Sequence, residues 1–181
     1  FGLVLVRDPR VDRRDNDMFL DIMERYFKQS DGVADARPEL SYQVGVTPEG
    51  VERARNHCAS VLQLPGGHRP LTLCPPEADP KMRFFWRVGP RPVETAFGEL
   101  NAAAVVPKGF PEWASVMDRW GEKLLAALNT VADMAADGLG LPAGSLSERM
   151  RDAPHLLAPT GSNFRKHGTL GTVLAAYHYD L

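Results

Sequence analysis

The sequence lacks the features that mark disulfide-rich, membrane-spanning or strongly charged proteins. It has only two cysteines, Cys58 and Cys74, which fit buried thiols as well as any other state and do not indicate a disulfide framework. An intracellular location, in the cytoplasm by default, is therefore predicted. No apolar run reaches the roughly 18 residues of a transmembrane helix. The formal net charge of −2 gives no general attraction to nucleic acid or an anionic membrane, which favours small-molecule chemistry or protein contacts.

Several catalytic signatures are also missing from the sequence. There is no G-x-S-x-G elbow, no H-E-x-x-H motif, no P-loop and no dinucleotide-binding glycine fingerprint. The glycine pairs Gly66-Gly67 and Gly138-x-Gly140 are better explained as turn and helix-ending residues. Hydrolytic and nucleotide-dependent chemistry are therefore disfavoured.

The composition that is present is that of a folded domain. The chain has 181 residues, 44% hydrophobic and 24% charged, enough to bury a sizeable core. It opens inside one β-like run, Phe1 to Val6, and closes inside another at Leu181, so we expect 1–181 to be a fragment of a single domain. Residues 1–154 are predicted to be mainly helices and loops and residues 155–181 to be strands, which indicates an α+β fold.

Two helices are predicted from apolar periodicity. Asp15 or Asn16 is expected to cap the first, which ends before Asp31-Gly32. The second is expected to begin near Pro111 and to end at Gly138, a length that could support a whole sheet. The residues that carry the helical spacing of the first helix are Phe19, Ile22, Met23, Tyr26 and Phe27, and those of the second are Trp113, Val116, Met117, Trp120, Leu124, Leu128, Val131 and Ala135.

Three further segments have recognisable character. Prolines and glycines interrupt residues 34–80, which predicts ordered loops with short elements. The aromatic-basic segment, Met82 to Val88, is predicted to be a packed turn whose arginines lie on the surface or pair with carboxylates. The alternative for this segment and the nearby Arg91 is a nucleic-acid-binding module. Ser145 and Glu148 form an S-x-x-E pattern that predicts a short capped helix.

An H-x-D pair lies near the C-terminal end. If residues 172–180 form a strand, as their composition predicts, Ala176, His178 and Asp180 share one face. One histidine and one carboxylate are two of the three ligands with which a two-histidine, one-carboxylate site holds Fe(II) and leaves positions open for reactants. Taken in isolation, the same pattern also fits a hydrogen-bonded surface pair.

The order of these motifs resembles the isopenicillin N synthase-like branch of the 2-oxoglutarate/Fe(II)-dependent oxygenases, over nearly the whole chain. The shared order is a G-L-V-L-V strand, a helix ending in Tyr26-Phe27, proline-broken loops and a long helix that stops at G-L-G-L-P. An N-F pair at Asn163-Phe164 then precedes a strand with Tyr177-His178-Tyr179-Asp180-Leu181. The last sequence is the most specific part of the likeness.

The resemblance implies N-terminal helices that support an incomplete double-stranded β-helix, or jelly roll. It implies His178 and Asp180 as ligands of Fe(II), with 2-oxoglutarate as co-substrate and O₂ as oxidant of a small-molecule substrate. Asn163 and Phe164 match the place where many members carry N-Y-Y, whose tyrosine hydroxyl helps to hold the co-substrate. Phe164 has no hydroxyl and would lose that hydrogen bond.

The chain departs from the family in its remaining site residues. The family's distal histidine and the arginine that binds 2-oxoglutarate follow the H-x-D pair, and this sequence ends before them. We therefore expect a C-terminal barrel segment or a partner chain to complete the site, and this segment alone to be inactive. The alternative is a catalytically inactive oxygenase-like scaffold in a larger assembly. The other histidines, which all precede the pair, are His57, His68, His155 and His167.

Overall fold

The computed structural model describes residues 4–179, which form a mixed helix-and-sheet fold with a small, open antiparallel sheet. Contacts group these residues into two compact units, 4–22 with 86–157 (unit 1) and 23–85 with 158–179 (unit 2). Across 4–179, no helix combines the length and the apolar character that crossing a bilayer requires. The elements are α1 (Arg13–Gln29), β1 (Gly45–Thr47), α2 (Cys58–Gln63), β2 (Met82–Arg87), α3 (Trp113–Gly138), α4 (Ser147–Met150), β3 (Leu156–Leu157), β4 (Thr160–Gly161) and α5 (Phe164–His167).

Helix α3 dominates unit 1 and confirms the predicted long helix. Its first turns bury Trp113 and Met117 completely, as the apolar spacing predicts. Gly121 continues this face, because a Cβ there would lie 2.5 Å from a methyl carbon of Val88. Further along, Leu128 is 50% exposed, so the apolar stripe is buried only in its first half.

The start of α1, also in unit 1, differs from the prediction. Asp12 caps the helix, since its Oδ1 accepts the backbone N–H of Asp15 at 3.0 Å. Asp15 is instead buried and forms ion pairs with Arg119, at 2.7 Å, and with Lys123. Asp12 and Asp15 are both suitable cap residues. The ion pairs of Asp15 with Arg119 and Lys123 occupy its side chain, so Asp12 caps the helix.

The aromatic-basic segment forms strand β2, so the predicted turn is wrong. In unit 1, Trp86 pairs with Leu157 of β3, and its indole N–H donates to Asp118 at 2.7 Å. Arg87 is buried, and its guanidinium donates to the carbonyl of Pro90 at 2.5 Å. Burial lowers the pKa of Arg87. The alternation of apolar and basic residues in this segment is the period of a strand, which explains the outcome.

Unit 2 contains the other pairings of the sheet. Strand β1 runs antiparallel to β2, with Val46 opposite Phe84, and β4 pairs with the start of β2. Tyr26 packs its ring edge-on against Phe84, with 5.5 Å between ring centroids. The side chains of Tyr26, Val46 and Phe84 are almost fully buried. Gly161 of β4 lies so close to Phe27 that a Cβ would come within 2.5 Å of its ring. The ordered loops predicted for 34–80 are confirmed.

The predicted strands at both ends are wrong within the described residues. Residues 172–179 form no strand, and neither do Val4 to Val6, which are exposed. The Asp79 side chain accepts the backbone N–H of Ala176 at 2.9 Å, so a side chain takes the place of a strand neighbour. Asp180 and residues 1–3 lie outside the described residues. The α+β class is therefore shown, whereas the jelly roll stays a prediction.

Two local predictions near α4 and α5 also need correction. The capping box of Ser145 and Glu148 does not form, because the Ser145 hydroxyl donates to the carbonyl of Pro142 at 2.6 Å and α4 begins only at Ser147. The predicted turn at Asn163-Phe164 is the start of α5. In both places a polar side chain bonds to nearby backbone, as the sequence predicts. The sequence does not determine which backbone group it bonds to, because several local hydrogen-bond patterns are possible.

Candidate functional site

A cavity of about 430 Å³ in unit 2 includes the predicted ligand His178 in its wall. Its volume lies within the range of roughly 300–1,000 Å³ that is usual for small-molecule sites. Most of its lining side chains are charged or carry an imidazole, which is unusual for a wall that only completes a core. The lining residues are Glu52, Arg53, Ala54, Arg55, His57, Asp79, Arg83, His178 and Tyr179.

The tautomer of His178 is set by a backbone contact. Its Nδ1 lies 2.8 Å from the carbonyl oxygen of Ala176. A carbonyl can only accept, so Nδ1 carries the proton and Nε2 carries the lone pair of the neutral ring. A backbone carbonyl on the other ring nitrogen is the usual outer contact of a metal-binding histidine.

Asp79 holds the chain that carries His178. This carboxylate is buried, and its Oδ1 accepts the N–H of Ala176 at 2.9 Å. Its Oδ2 accepts from the ammonium of Lys81 at 2.7 Å. Ala176 therefore links the two side chains, because its N–H bonds to Asp79 and its carbonyl bonds to His178. This network fixes the backbone two residues before the imidazole.

The charges of the cavity do not balance. Both carboxylates are paired, Asp79 with Lys81 and Glu52 with Arg83 at 3.2 Å and Lys81 at 3.4 Å. Arg53 and Arg55 line the same space, and within residues 4–179 neither guanidinium forms a hydrogen bond or ion pair. Both arginines are exposed, and they line the cavity with positive charge that no described carboxylate pairs with.

The segment that carries these arginines is anchored on both sides. The carbonyl of Glu52 accepts from the N–H of Asp79 at 2.8 Å, and Arg53 forms a backbone bridge with Ala78. A disulfide joins Cys58 to Cys74, which are 16 positions apart in the sequence. The sequence left the state of the two cysteines open, and the structure joins them. The disulfide and the bridge hold the backbone of this segment before any ligand binds.

One side of the cavity is aromatic. The His57 ring meets that of Tyr179 edge-on at 4.6 Å between centroids, and Tyr177 lies 5.4 Å from Tyr179. The hydrogen bond with Tyr179 raises the pKa of Tyr177 above its usual 10.0. The rings of His57 and Tyr179 line the cavity with the two arginines and add an apolar surface, as in most small-molecule sites.

Asn163 and Phe164, which the resemblance places near the co-substrate, do not line this cavity. Asn163 caps α5, where its Oδ1 accepts from the backbone N–H groups of Arg165 and Lys166 at 3.0 and 3.4 Å. Phe164 is 70% exposed. Their role with a co-substrate stays a prediction. Asp180, the predicted carboxylate ligand, lies outside the described residues. Among residues 4–179, no three histidine, cysteine, aspartate or glutamate side chains are grouped to hold a metal ion.

Three of the remaining histidines do not line this cavity. His155 donates from Nε2 to the carbonyl of Met150 at 2.7 Å, which closes a local loop. His167 lies 2.8 Å from Glu49, and the hydrogen bond from Lys166 to the same carboxylate, with that of His167, lowers the pKa of Glu49. His68 is exposed in a short 3₁₀ helix. Of the described residues, His57 is the one other histidine that lines the cavity with His178.

Of the cavity residues that the sequence motifs did not assign to a site, those with the clearest chemical role are Arg53, Arg55, His57 and Asp79. A signal for the first three was present, since R-x-R-x-H places basic side chains at every second position, and such alternation puts side chains on one face of an extended segment. The proline-rich surroundings of this pattern concealed it. Nothing in the sequence pairs Asp79 with Ala176, which lies 97 residues away.

Comparison of this chain with protein-family models, with curated proteins and with solved structures finds no match.

Proposed function

We propose that this protein is a non-haem Fe(II)- and 2-oxoglutarate-dependent oxygenase of a small molecule, with His178 and Asp180 as iron ligands. The observation that carries the proposal is the position of His178, which lies in the wall of a cavity of small-molecule size with its Nδ1 bonded to the Ala176 carbonyl. The H-Y-D-L sequence supports the same assignment. We also propose that the small antiparallel sheet belongs to a double-stranded β-helix.

The described residues fit such a metal in part. A neutral imidazole whose tautomer is fixed through Nδ1 is a suitable Fe(II) ligand. The carboxylate that the family places two residues later is Asp180, outside the described residues. His57 shares the cavity, and its contribution is open to a direct test. Bound Fe(II) and 2-oxoglutarate would supply oxidation of a substrate C–H bond by O₂, with release of succinate and CO₂.

The chain's own part in this reaction is to position groups. Asp79 holds Ala176, and Ala176 in turn orients His178 through its carbonyl oxygen. Lys81 forms an ion pair with Asp79 at 2.7 Å, which offsets the charge of this buried carboxylate. The rings of Tyr179 and His57 lie edge-on to each other and provide aromatic surface in the cavity wall.

The test is an anaerobic titration with Fe(II), in the presence of 2-oxoglutarate, of the wild-type protein together with the segment or partner chain that completes its site. The expected result is the visible charge-transfer absorption of iron chelated by a 2-keto acid. His178→Ala and Asp180→Ala should abolish the band, because each removes a metal ligand. His68→Ala is the matched control, since this exposed histidine is far from any role in the proposal and should leave the band unchanged. His57→Ala tests whether that imidazole also binds the metal.

Absence of the band from the folded wild-type protein would contradict the proposal and would leave the inactive scaffold as the better account. Equal bands in the wild type and in His178→Ala would also contradict it. Circular dichroism of each variant separates the loss of a ligand from the loss of the fold.

A further inference from the structure

We propose that the cavity of unit 2 binds the anionic group of a small molecule, a carboxylate or a phosphate, through Arg53 and Arg55. As the substrate class of the oxygenase, this assignment rests on the proposed function. As an anion site, it can be measured without iron.

The first argument is charge. Each described carboxylate that lines the cavity already has a cation, because Lys81 pairs with Asp79 and Arg83 pairs with Glu52. The guanidinium groups of Arg53 and Arg55 have no hydrogen-bond or ion-pair partner in the part of the chain that the structure describes. An anionic ligand would therefore add charge pairs without breaking an existing one.

The second argument is chemistry. A guanidinium presents a planar fork of N–H donors that matches the two oxygens of a carboxylate or phosphate. Arg53 and Arg55 are two residues apart on the segment that bridges Ala78, so they can act on one anionic group or on two neighbouring ones. Lysines, which lack the fork, do not line this cavity among the described residues.

The third argument is preorganisation. The arginine segment is held by the bridge of Arg53 to Ala78 and by the disulfide of Cys58. A ligand would then lose less binding free energy to ordering of the loop. The neighbouring rings of His57 and Tyr179 offer an apolar surface for the carbon skeleton of the ligand. A volume of about 430 Å³ suits a small molecule.

The test is isothermal titration calorimetry of the metal-free protein, with a chelator present, against succinate, inorganic phosphate and the neutral succinamide. Succinate or phosphate should bind saturably, and succinamide should bind at least about tenfold more weakly, since charged hydrogen bonds are the stronger ones. Tighter binding of succinate identifies a carboxylate ligand, and tighter binding of phosphate identifies a phosphorylated one.

The variants Arg53→Gln and Arg55→Gln should each weaken binding by about tenfold or more. Arg53→Lys and Arg55→Lys keep the charge and should recover only part of the affinity, because the fork is lost. Arg14→Gln, at an exposed position of α1, changes the net charge equally and should leave the affinity within about twofold.

Two results would overturn the inference: no binding of either anion to the folded wild type, or equal weakening by Arg14→Gln and the cavity variants. The anion affinity is measured without metal, so it is expected whether or not the iron band forms. Failure of the anion site is thus distinguishable from failure of the iron site.

Discussion

The two units of this protein are stabilised by different kinds of contact. Unit 1 contains the 26-residue helix α3, whose first turns bury Trp113 and Met117 against apolar neighbours. The cavity side of unit 2 has few regular elements, and its loops are held by the Asp79 hydrogen bonds, the Lys81 ion pairs and a disulfide. The side chains that could bind a ligand therefore lie on irregular backbone, where the periodicity of a helix or strand does not fix their spacing.

The comparison teaches which contacts a site can depend on. Apolar burial gives stability without direction, whereas hydrogen bonds fix the position of a particular backbone group. The position of His178 depends on hydrogen bonds, because Asp79 bonds to Ala176 and Ala176 bonds to His178. Four experiments, from the largest expected effect to the smallest, test this difference.

Trp113→Ala should have the largest effect, a loss of about 4 kcal/mol in the free energy of unfolding, because a fully buried indole leaves a cavity. Urea denaturation measures the loss. Leu128→Ala is the control, since this residue of the same helix is 50% exposed and should cost less than about 1 kcal/mol. Equal losses would mean that α3 is not anchored by its first turns.

Asp79→Ala should cost about 3 kcal/mol in the free energy of unfolding, because it leaves the buried Lys81 with only the longer contact to Glu52. The double variant Asp79→Leu with Lys81→Met should lose less, since no charge is left buried without its partner. Asp152→Ala, at an exposed acidic position, is the control. If Asp79→Ala resembled Asp152→Ala, the polar network would not hold unit 2.

Reduction of the bond between Cys58 and Cys74 should cost about 2–3 kcal/mol, since the loop it closes is short. Hydrogen exchange should accelerate at residues 52–58 and stay unchanged in the first turns of α3. The Cys58→Ser, Cys74→Ser double variant should reproduce the effect without reductant. In a cytoplasm the bond would be kept reduced, so the redox state of these thiols in cells also tests the predicted location. Thiol titration of the purified, unreduced protein that finds two reactive cysteines would contradict the disulfide.

The smallest effect concerns Glu49, whose pKa is lowered from 4.5 mainly by the hydrogen bond from Lys166. A lowered folded-state pKa means that this contribution is present above pH 4.5 and is lost as the pH falls further. Glu49→Gln should therefore reduce stability by less than about 1 kcal/mol at neutral pH and by nothing in stronger acid. Urea denaturation over this pH range, with Glu39→Gln as control, checks the sign. A difference that grows in acid would contradict it.

Periodic segments were predictable from the sequence, and the contacts of the cavity were not. The spacing from Trp113 onward predicts α3 nearly to its last residue, because burial on one face is a local rule. The failure at residues 172–179 has a different cause. Their composition fits a strand, but Asp79 takes the Ala176 N–H that a neighbouring strand would have used, and no local pattern reveals a partner so far away. The same distance explains why the prediction found His178 and missed Asp79.

The bond between Asp79 and Ala176 also governs when the cavity can exist. It joins residues 97 positions apart, so closing it requires the whole intervening chain to have folded back. During synthesis, a ribosome-bound chain that ends before residue 176 would carry Arg53, Arg55, His57 and Asp79 but not the segment that Asp79 holds. Ligand recognition would therefore wait for residues 176–179, although the arginines are made much earlier.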